Sequence, residues 1–443
     1  MARNAAERLS ALVQIETVSA HLESTGIGPF ERFIETLRLQ YPLLHETLTC
    51  ERVTDLGLLF HWKGKRQGLR GEPLVLAGHF DVAPVMDKSQ WSYPPFSGTI
   101  TDERVWGRGA FNDKASLVLM CEAVEVLLSR GFTPQRDIYL SFAGDAETTG
   151  GASAAIATTL ADRGIRPYLV LGVGGAIVEA PLPHVDIRTA AVGVGEKGEM
   201  TVQLTCEGNP GKVAAPSRRA PVARLGRAVH RVMVRTFHGR LPKAVPAMLA
   251  ALAPHATGRY RALYTSLSHA PKATAQFFAV LGGQAAALAH TTVAATMVES
   301  GSTSKHLPSS ASATLNVHIA IGGTVAGTMA LLKRRIGDPR VTLTLVESSE
   351  PCAESPIDNP QFSAIREAVE VSYPGVVTAP FVANAATDAR HFAAFTQAVY
   401  RFSPLELLMD HRPSIHNPDE WVSLDSLVRG QQFFEHLIRH TTG

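Results

Sequence analysis

Two ionisable side chains follow an apolar run near the first quarter of the chain. His79 and Asp81 stand two residues apart after PLVLAG. A strand ending there would project both side chains from the same face of a sheet. A histidine beside a carboxylate is typical of a metal ligand or of an oriented base. This pair is therefore the first candidate for chemistry.

Further polar residues follow at two more positions. Asn112 and Asp113 come directly before the apolar segment ASLVLMCEAVEVLLSRG, and Asp145 and Glu147 follow the run IYLSFAG. Acidic groups at the carboxyl ends of successive strands are where an α/β sheet builds its site. The three stretches predict one site at a single sheet edge, with Asn112 among its substrate-binding residues.

The elements that must position these residues alternate between strand and helix. Apolar runs at LGLLFHWKG, PLVLAGHF and IYLSFAG predict strands, and residues 115–130 and 151–163 predict helices between and after them. Strands that alternate with helices favour a parallel sheet covered on both faces. We expect an α/β fold with a mainly parallel sheet.

A change of pattern divides the chain. At 443 residues it is too long for one core. From about residue 193 the apolar residues alternate as in antiparallel strands, at VGEKGEMTVQLTCEG and later at SATLNVHIAI. We predict a large α/β domain from residues 1–192 and 351–443, and a smaller α+β domain inserted at residues 193–350.

Bulk properties exclude several classes of protein. The net charge of +2 is too small to indicate nucleic-acid binding. No run approaches the roughly 18 apolar residues of a membrane helix, and the first residues lack the apolar centre of a signal peptide. The four cysteines show no CxxC spacing. We expect a soluble cytoplasmic protein that acts on a small molecule.

The motifs resemble those of a known family. GHFDVAP, followed by Trp91 and PPFSG, then GRGAFNDK and DAETTG, are similar to motifs of the zinc-dependent family that includes aminoacylase, carboxypeptidase G, carboxypeptidase S and succinyl-diaminopimelate desuccinylase. The likeness is closest to the carboxypeptidase S and N-acyl-amino-acid synthase/hydrolase branch. It implies a dizinc site, and an inserted domain that closes over the site and forms a homodimer.

Three positions depart from the family pattern. Asn112 stands for the metal-bridging Asp, Ala146 for the general-base Glu, and Gly172 for another carboxylate ligand, whereas Glu147 and His416 match family ligands. An amide is a poor bridge between two dications, and a methyl group accepts no proton. We therefore predict no metal cofactor, or at most one zinc ion at low occupancy, held by Glu147, His416, His79 and Asn112.

Positions that face the substrate in the resembling family have also changed. Lys212 replaces a histidine, Lys305 an asparagine and His318 an arginine, whereas Arg390 in TDAR follows the family pattern. We predict that Lys305, His318 and Arg390 bind substrate, since a guanidinium fork suits an anionic group.

Three functions are open at this point. In a repurposed enzyme without metal, His79, Asp81, Glu147, Lys212 and His416 carry out a condensation, cyclisation or rearrangement of an acyl-amino-acid-like or peptidyl substrate, perhaps in a biosynthetic pathway. The second function is that of an inert, dimeric ligand-binding protein. The third is that of a mononuclear zinc amidohydrolase or carboxypeptidase. We favour the first because lysines replace metal charge.

Overall fold

A computed structural model of the chain describes most of its residues. They are residues 2–443 except 67, 69, 70, 210–212, 215, 216, 235–240, 282, 302–305, 385, 410, 412 and 413. Lys212 and Lys305 therefore lie outside the described residues.

The described residues form strands throughout the chain. In chain order they are β1 (Thr49–Thr54), β2 (Gly57–Trp62), β3 (Leu74–His79), β4 (Arg104–Trp106), β5 (Ile138–Ala143), β6 (Leu169–Gly172), β7 (Ile177–Val178), β8 (Thr189–Glu196), β9 (Gly198–Glu207), β10 (Thr292–Glu299), β11 (Ser310–Ile319), β12 (Val341–Ser349), β13 (Val377–Ala383), β14 (Val399–Arg401), β15 (Glu406–Leu407) and β16 (Trp421–Ser423).

Helices connect these strands. The α-helices are α1 (Ala2–Val13), α2 (Leu22–Thr25), α3 (Gly28–Gln40), α4 (Pro42–Thr47), α5 (Lys114–Ser129), α6 (Gly151–Asp162), α7 (Pro221–Met233), α8 (Ala244–Leu252), α9 (Arg259–Ser268), α10 (Pro271–Leu281), α11 (Gly283–Ala289), α12 (Val325–Ile336), α13 (Pro360–Ser372) and α14 (Leu424–Thr442). Short 3₁₀ segments include Asp388–Ala394. None of the described helices is both long and apolar enough to cross a bilayer.

One large sheet forms the centre of the molecule. Its order is β1-β2-β5-β3-β6-β14-β8-β7-β15, with β13 beside β8. The central strands β5, β3, β6 and β14 are parallel, and the hairpin of β1 and β2 joins β5 in antiparallel pairing. The α/β prediction is confirmed, but the sheet is mixed because β2 pairs antiparallel with β1 and β5, and β8 pairs antiparallel with β14 and β7.

Both faces of this sheet are covered, which explains its uninterrupted apolar strands. Along β3, Leu74 and Leu76 enter one core layer and Val75 and Ala77 enter the opposite layer. The first layer includes residues of α1, α3, α5, α13 and α14, and the second includes residues of α6. Alternation along a strand thus buries every side chain of β3.

A second sheet is antiparallel and separate from the first. Its order is β10-β11-β9-β12, and helices α7 and α12 share its apolar core. The stretch VGEKGEMTVQLTCEG, predicted as one strand, is divided: β8 ends in the large sheet at Glu196, and β9 begins in the small sheet at Gly198. The chain therefore crosses between the sheets at Lys197, which is buried and donates to the His290 carbonyl.

The Ala-rich helices of the inserted segment do not join the small sheet. Buried residues of α8 and α9, such as Leu249 and Tyr264, share a core cluster with Ala379 of β13 in the large sheet. The domain boundaries at residues 193 and 350 stay a prediction, and this contact shows that part of the inserted segment packs on the larger body.

Candidate metal and catalytic site

The predicted site residues gather where parallel strands of the large sheet end. His79 is the last residue of β3 and pairs with Ala143, the last residue of β5. The segment after β5 carries Glu147, and the loop before α5 carries Asn112. His416 reaches the same edge from a loop near the end of the chain, where its backbone φ is 61°. A sheet edge of this kind is the usual position of an α/β active site.

Asp81 organises one half of this edge. Its side chain is fully buried, and its oxygens accept bonds from the Ser19 hydroxyl (2.6 Å) and from the amides of Ala146 (3.1 Å) and Glu147 (2.9 Å). One oxygen also lies 3.2 Å from Nδ1 of His79. Asp81 thereby fixes the His79 ring and leaves Nε2 as its other polar atom, the arrangement found in carboxylate–histidine–metal triads.

Charge around His79 favours its protonated form in the absence of a cation. Burial lowers the pKa of His79, but the hydrogen bond and charge of Asp81, together with Asp113 and Glu147, outweigh it and raise the pKa well above the ordinary value. Three carboxylates around one imidazole create a strongly anionic pocket. Such a pocket attracts a cation.

Three donor groups converge on one point in the other half. The amide nitrogen of Asn112 lies 2.9 Å from Oε1 of Glu147 and 2.8 Å from Nε2 of His416, and those two atoms are 3.2 Å apart. In a tetrahedral zinc site with bonds of about 2.0–2.1 Å, ligand atoms are separated by about 3.3 Å. The observed separations therefore suit three ligands of a single ion.

As placed, the Asn112 amide can donate one proton to Oε1 of Glu147 and the other to Nε2 of His416, which holds the trio together by hydrogen bonds. The lone pairs of Oε1 and Nε2 then face each other at 3.2 Å, which is unfavourable unless a proton or a cation lies between them. The hydrogen bond to Glu147 raises the pKa of His416, partly against burial. With its amide reversed, an ordinary assignment choice, Asn112 would offer a third lone pair. A cation at the centre would satisfy all three groups.

Among the described residues called in the sequence analysis, fewer ligands lie on the His79 side of the site. A Cβ atom built on Gly172 would lie 2.7 Å from Cβ of Ala389, closer than real side chains approach. A carboxylate at residue 172 would therefore need Ala389 to move. Among the described residues called in the sequence analysis, His79 alone remains as a strong ligand on that side.

Asp113 and Lys114 are buried residues next to the site. Asp113 occupies the N-cap position of α5, but its carboxylate makes no cap hydrogen bond and instead accepts from the His79 amide at 3.2 Å. Burial raises the pKa of Asp113 to about 7. Lys114 is buried, donates to the carbonyls of Leu12 and Ile15, and burial lowers its pKa to about 7. Asp113 thus holds the backbone of His79, and Lys114 ties the start of α5 to the end of α1 and the residues that follow it.

Glu420 is one supporting residue that sequence reasoning missed. It is fully buried, pairs with Arg108 at 2.7 Å, and accepts backbone bonds from Gly109, Phe111 and Asn112. These bonds hold the loop that presents the Asn112 side chain. The one signal in the sequence was an acidic residue directly before the apolar pair Trp421 and Val422, in the motif SIHNPDE.

The segment that carries Arg390 is anchored in the same manner. Glu196, fully buried, accepts from the amide and hydroxyl of Thr387 and pairs with the buried Arg401 at 2.8 Å. None of the residues that the structure describes donates to or accepts from the Arg390 guanidinium. His318 lies on β11 of the small sheet, and its Nδ1 is 2.8 Å from the Asn384 carbonyl, just before this segment. The structure thus brings His318 toward the Arg390 segment.

Asp388 was not among the predicted site residues, yet its environment is unusual. Its Oδ2 is buried without a hydrogen-bond partner among the described residues. Burial raises its pKa to about 7, and the charge of His79 lowers it in part. A carboxyl group with a pKa near neutral beside an active site is a candidate proton carrier. The motif TDAR was noticed for its arginine alone.

Comparisons with known proteins agree with these motifs. The sequence model of peptidase family M20/M25/M40 matches residues 75–440. A probable carboxypeptidase S-like protein of Dictyostelium discoideum is 30% identical over 98% of this chain and 85% of its own length. An N-fatty-acyl-amino acid synthase/hydrolase of Mus musculus is 29% identical over 98% of this chain and 87% of its own.

The fold also matches solved structures. A crystal structure described as an M20 family metallo-carboxypeptidase from Sulfolobus solfataricus has a TM-score of 0.71 and 16% identity, and the match covers 97% of each chain. The family match and this metalloenzyme fold point to a divalent metal cofactor. The prediction that no metal cofactor is needed is therefore wrong. Because the matched region spans most of the sequence, this chain belongs to peptidase family M20/M25/M40.

Proposed function

We propose that this chain is a metal-dependent enzyme that acts on the amide bond of an N-acyl amino acid or a short peptide, and that it uses one divalent cation rather than two. The observation that carries this proposal is the convergence of Glu147, His416 and Asn112 within 2.8–3.2 Å of one another. The names of the relatives support the substrate class, since both carboxypeptidases and N-acyl-amino acid hydrolases cleave such amides.

The candidate ligands favour one ion position over the other. Glu147 and His416 are strong ligands for the first, and Asn112 completes its shell as a neutral oxygen donor. The second position lacks a carboxylate at Gly172, where a side chain would meet Ala389. A degenerate, single-ion site follows from this donor set. It differs from the dizinc site that the sequence motifs imply for the family.

A bound cation would act as a Lewis acid that polarises the amide carbonyl of the substrate. The chain supplies the other functions. Asp81 orients His79, whose Nε2 is placed to hold or deliver a proton. Arg390, whose guanidinium has no hydrogen-bond partner among the described residues, offers a guanidinium fork for the carboxylate of the amino-acid part. His318, on the small sheet, faces the same segment and would contact the acyl or peptidyl part.

Ala146 determines which nucleophile this site favours. Attack by water needs a base that removes a proton, and the methyl group of Ala146 provides none. An unprotonated amine attacks a carbonyl without first losing a proton. We therefore propose that acyl transfer or condensation with an amine is faster here than hydrolysis. A related alternative is an inert ligand-binding protein, which the same loss of the base would also favour.

We predict that each chain binds one catalytic metal ion. We expect the variant Glu147→Gln with His416→Asn to lose one equivalent of zinc relative to the parent, because both strong ligands are removed. Mass spectrometry of the metal content after chelator treatment and zinc reconstitution measures this. The exposed His255 supplies a control, since His255→Asn should retain the full content.

Two results would contradict the single-ion site. A loss of two equivalents in the Glu147→Gln, His416→Asn variant would mean that the ions are coupled in a dinuclear centre. No loss at all would mean that the trio binds no ion. Circular dichroism of each variant separates ligand loss from unfolding.

The substrate is tested with N-acyl amino acids in both directions. Zinc-loaded protein is incubated with an N-acyl amino acid in water, and separately with an acyl donor and a free amino acid, and products are quantified by mass spectrometry. We expect zinc-dependent product, with the transfer reaction faster than hydrolysis. Saturable binding without product in either direction would instead support the inert ligand-binding protein.

Assembly through the inserted segment is proposed as well. The small sheet leaves β10 and β12 as its edges, and the apolar side chains of Met297, Val298 and Val346 on them are exposed. Exposed apolar edge strands are ready to pair with another chain. We expect a homodimer in size-exclusion chromatography with light scattering, and Val298→Lys to shift it toward monomer. A monomeric parent would contradict this. The cytoplasmic location stays a sequence prediction.

A further inference from the structure

Two histidines and a glutamate gather on the outer helices α13 and α14. His436 and His440 lie one turn apart on α14, and their rings are nearly parallel, with centroids 5.9 Å apart and planes at 13°. Glu367 projects from α13, and its Oε2 is 3.4 Å from Nε2 of His440. One donor atom from each residue lies within 4.8 Å of the other two. We call these three residues the helix-pair cluster.

Apolar packing fixes the backbone that carries this cluster. Ile365 and Val369 on α13 and Phe434 and Leu437 on α14 are fully buried in one core layer. Helices packed through such residues keep a set separation and rotation. The side chains of Glu367 and His440 are about half exposed, so their tips can turn at little cost. The cluster can therefore close on a ligand without backbone movement.

His436 provides an independent indication that something binds here. Its Nε2 is buried and has no hydrogen-bond partner in the part of the chain that the structure describes. A buried polar nitrogen without a partner is unfavourable, and such atoms often mark an unoccupied ligand or ion position. The neighbouring Arg439 is 3.7 Å from Glu435, which offsets its charge. Glu367 contributes negative charge to the cluster.

We propose that His436, His440 and Glu367 form a zinc site that is separate from the catalytic site. Histidines at i and i+4 with a carboxylate from a neighbouring helix are ligands that zinc accepts at about 2.0–2.2 Å, with water in the fourth position. The ligand atoms would need to approach by about 1.5 Å to reach tetrahedral separations. Because α14 rises by about 1.5 Å per residue, the cluster lies roughly 18–24 Å along the helix from its first residue, which follows the loop of Glu420.

The role of this ion would be to clamp the last helix of the chain. A ligand that binds only the folded state stabilises it in proportion to its saturation. Zinc that bridges α13 and α14 would hold together two helices that cover the same face of the large sheet. Removal of the ion would loosen α14, whose first turn follows the loop that holds Asn112 in place.

The test uses zinc alone as the probe. The full chain is treated with chelator and titrated with Zn²⁺ against a chromogenic competitor. We expect the variant His436→Asn with His440→Asn to bind one equivalent less than the parent, and zinc to raise the Tm of the parent more than that of the variant. His255→Asn, another exposed histidine, is the matched control and should bind as the parent does.

A second variant keeps the result interpretable if the double variant folds poorly. Glu367→Gln changes an exposed side chain and should weaken this site by at least about tenfold, the scale on which even indirect metal contacts act. The Glu147→Gln, His416→Asn variant should retain this equivalent, so that failure here and failure of the catalytic proposal are distinguished. Equal zinc binding by the parent and both cluster variants would overturn the site.

Discussion

Replacement of Ala146 by glutamate should raise the rate of N-acyl amino acid hydrolysis by about 10²–10⁴-fold, the range that a positioned general base contributes. Ala146 follows β5 at the sheet edge, next to Glu147, and its backbone amide is already fixed by Asp81 at 3.1 Å. A carboxylate added there would lie beside the cation held by Glu147. Steady-state kcat/KM for hydrolysis, measured with zinc-loaded protein, checks the gain.

Ala146→Gln is the matched control because it adds the same bulk without a basic oxygen. We expect it to leave hydrolysis near the parent rate and to change acyl transfer no more than Ala146→Glu does. If Ala146→Glu binds zinc and folds as the parent does yet hydrolyses no faster, the missing base is not what limits attack by water. That result would contradict the proposed preference for amine nucleophiles, because the preference rests on the absence of a base at residue 146.

The edge at which the candidate residues gather was predictable because its signals are local. His79 and Asp81 end a strand whose apolar run is visible in the sequence, and parallel neighbours bring strand ends together. Glu147 and Asn112 follow the same logic, since each stands at the junction of a strand or loop with a helix. The α/β class followed from the same alternation, and the structure confirms it.

The features that sequence reasoning missed depend on distant contacts. Glu420 binds the loop at Gly109 to Asn112 across roughly three hundred residues, and no local pattern marks such a pairing. Asp113 stands where a helix cap is expected, but the His79 amide from β3 takes its carboxylate instead. The antiparallel edge formed by β1 and β2 was missed because strand direction is decided by tertiary pairing.

The error about the metal has a physical cause. The expectation of no metal came from counting the departures at Asn112, Ala146 and Gly172, and that count treats the remaining groups as independent. The structure brings Glu147, His416 and Asn112 close enough to share one ion. The convergence of the remaining donors, which a sequence does not display, matters as much as their number.

Loss of the Glu420 charge should strongly destabilise the fold near the site. Glu420→Gln would leave Arg108, whose side chain is 3% exposed, as a buried cation without its counterion. Removal of one partner from a buried ion pair costs about 3–5 kcal/mol of unfolding free energy. Urea denaturation of parent and variant measures the loss. Glu51→Gln breaks the exposed pair with Arg163 and should cost no more than about 1 kcal/mol.

The same substitution should also weaken zinc binding, which distinguishes a positioning role from a purely structural one. Glu420 accepts from the Asn112 amide, so a shifted loop would move the Asn112 side chain away from Glu147 and His416. Arg108→Met in the Glu420→Gln background removes the unpaired cation and should recover part of the stability. It should not recover zinc affinity, because the loop still lacks a charged acceptor. Full recovery of both by Arg108→Met would show that Glu420 serves Arg108 alone and does not position Asn112.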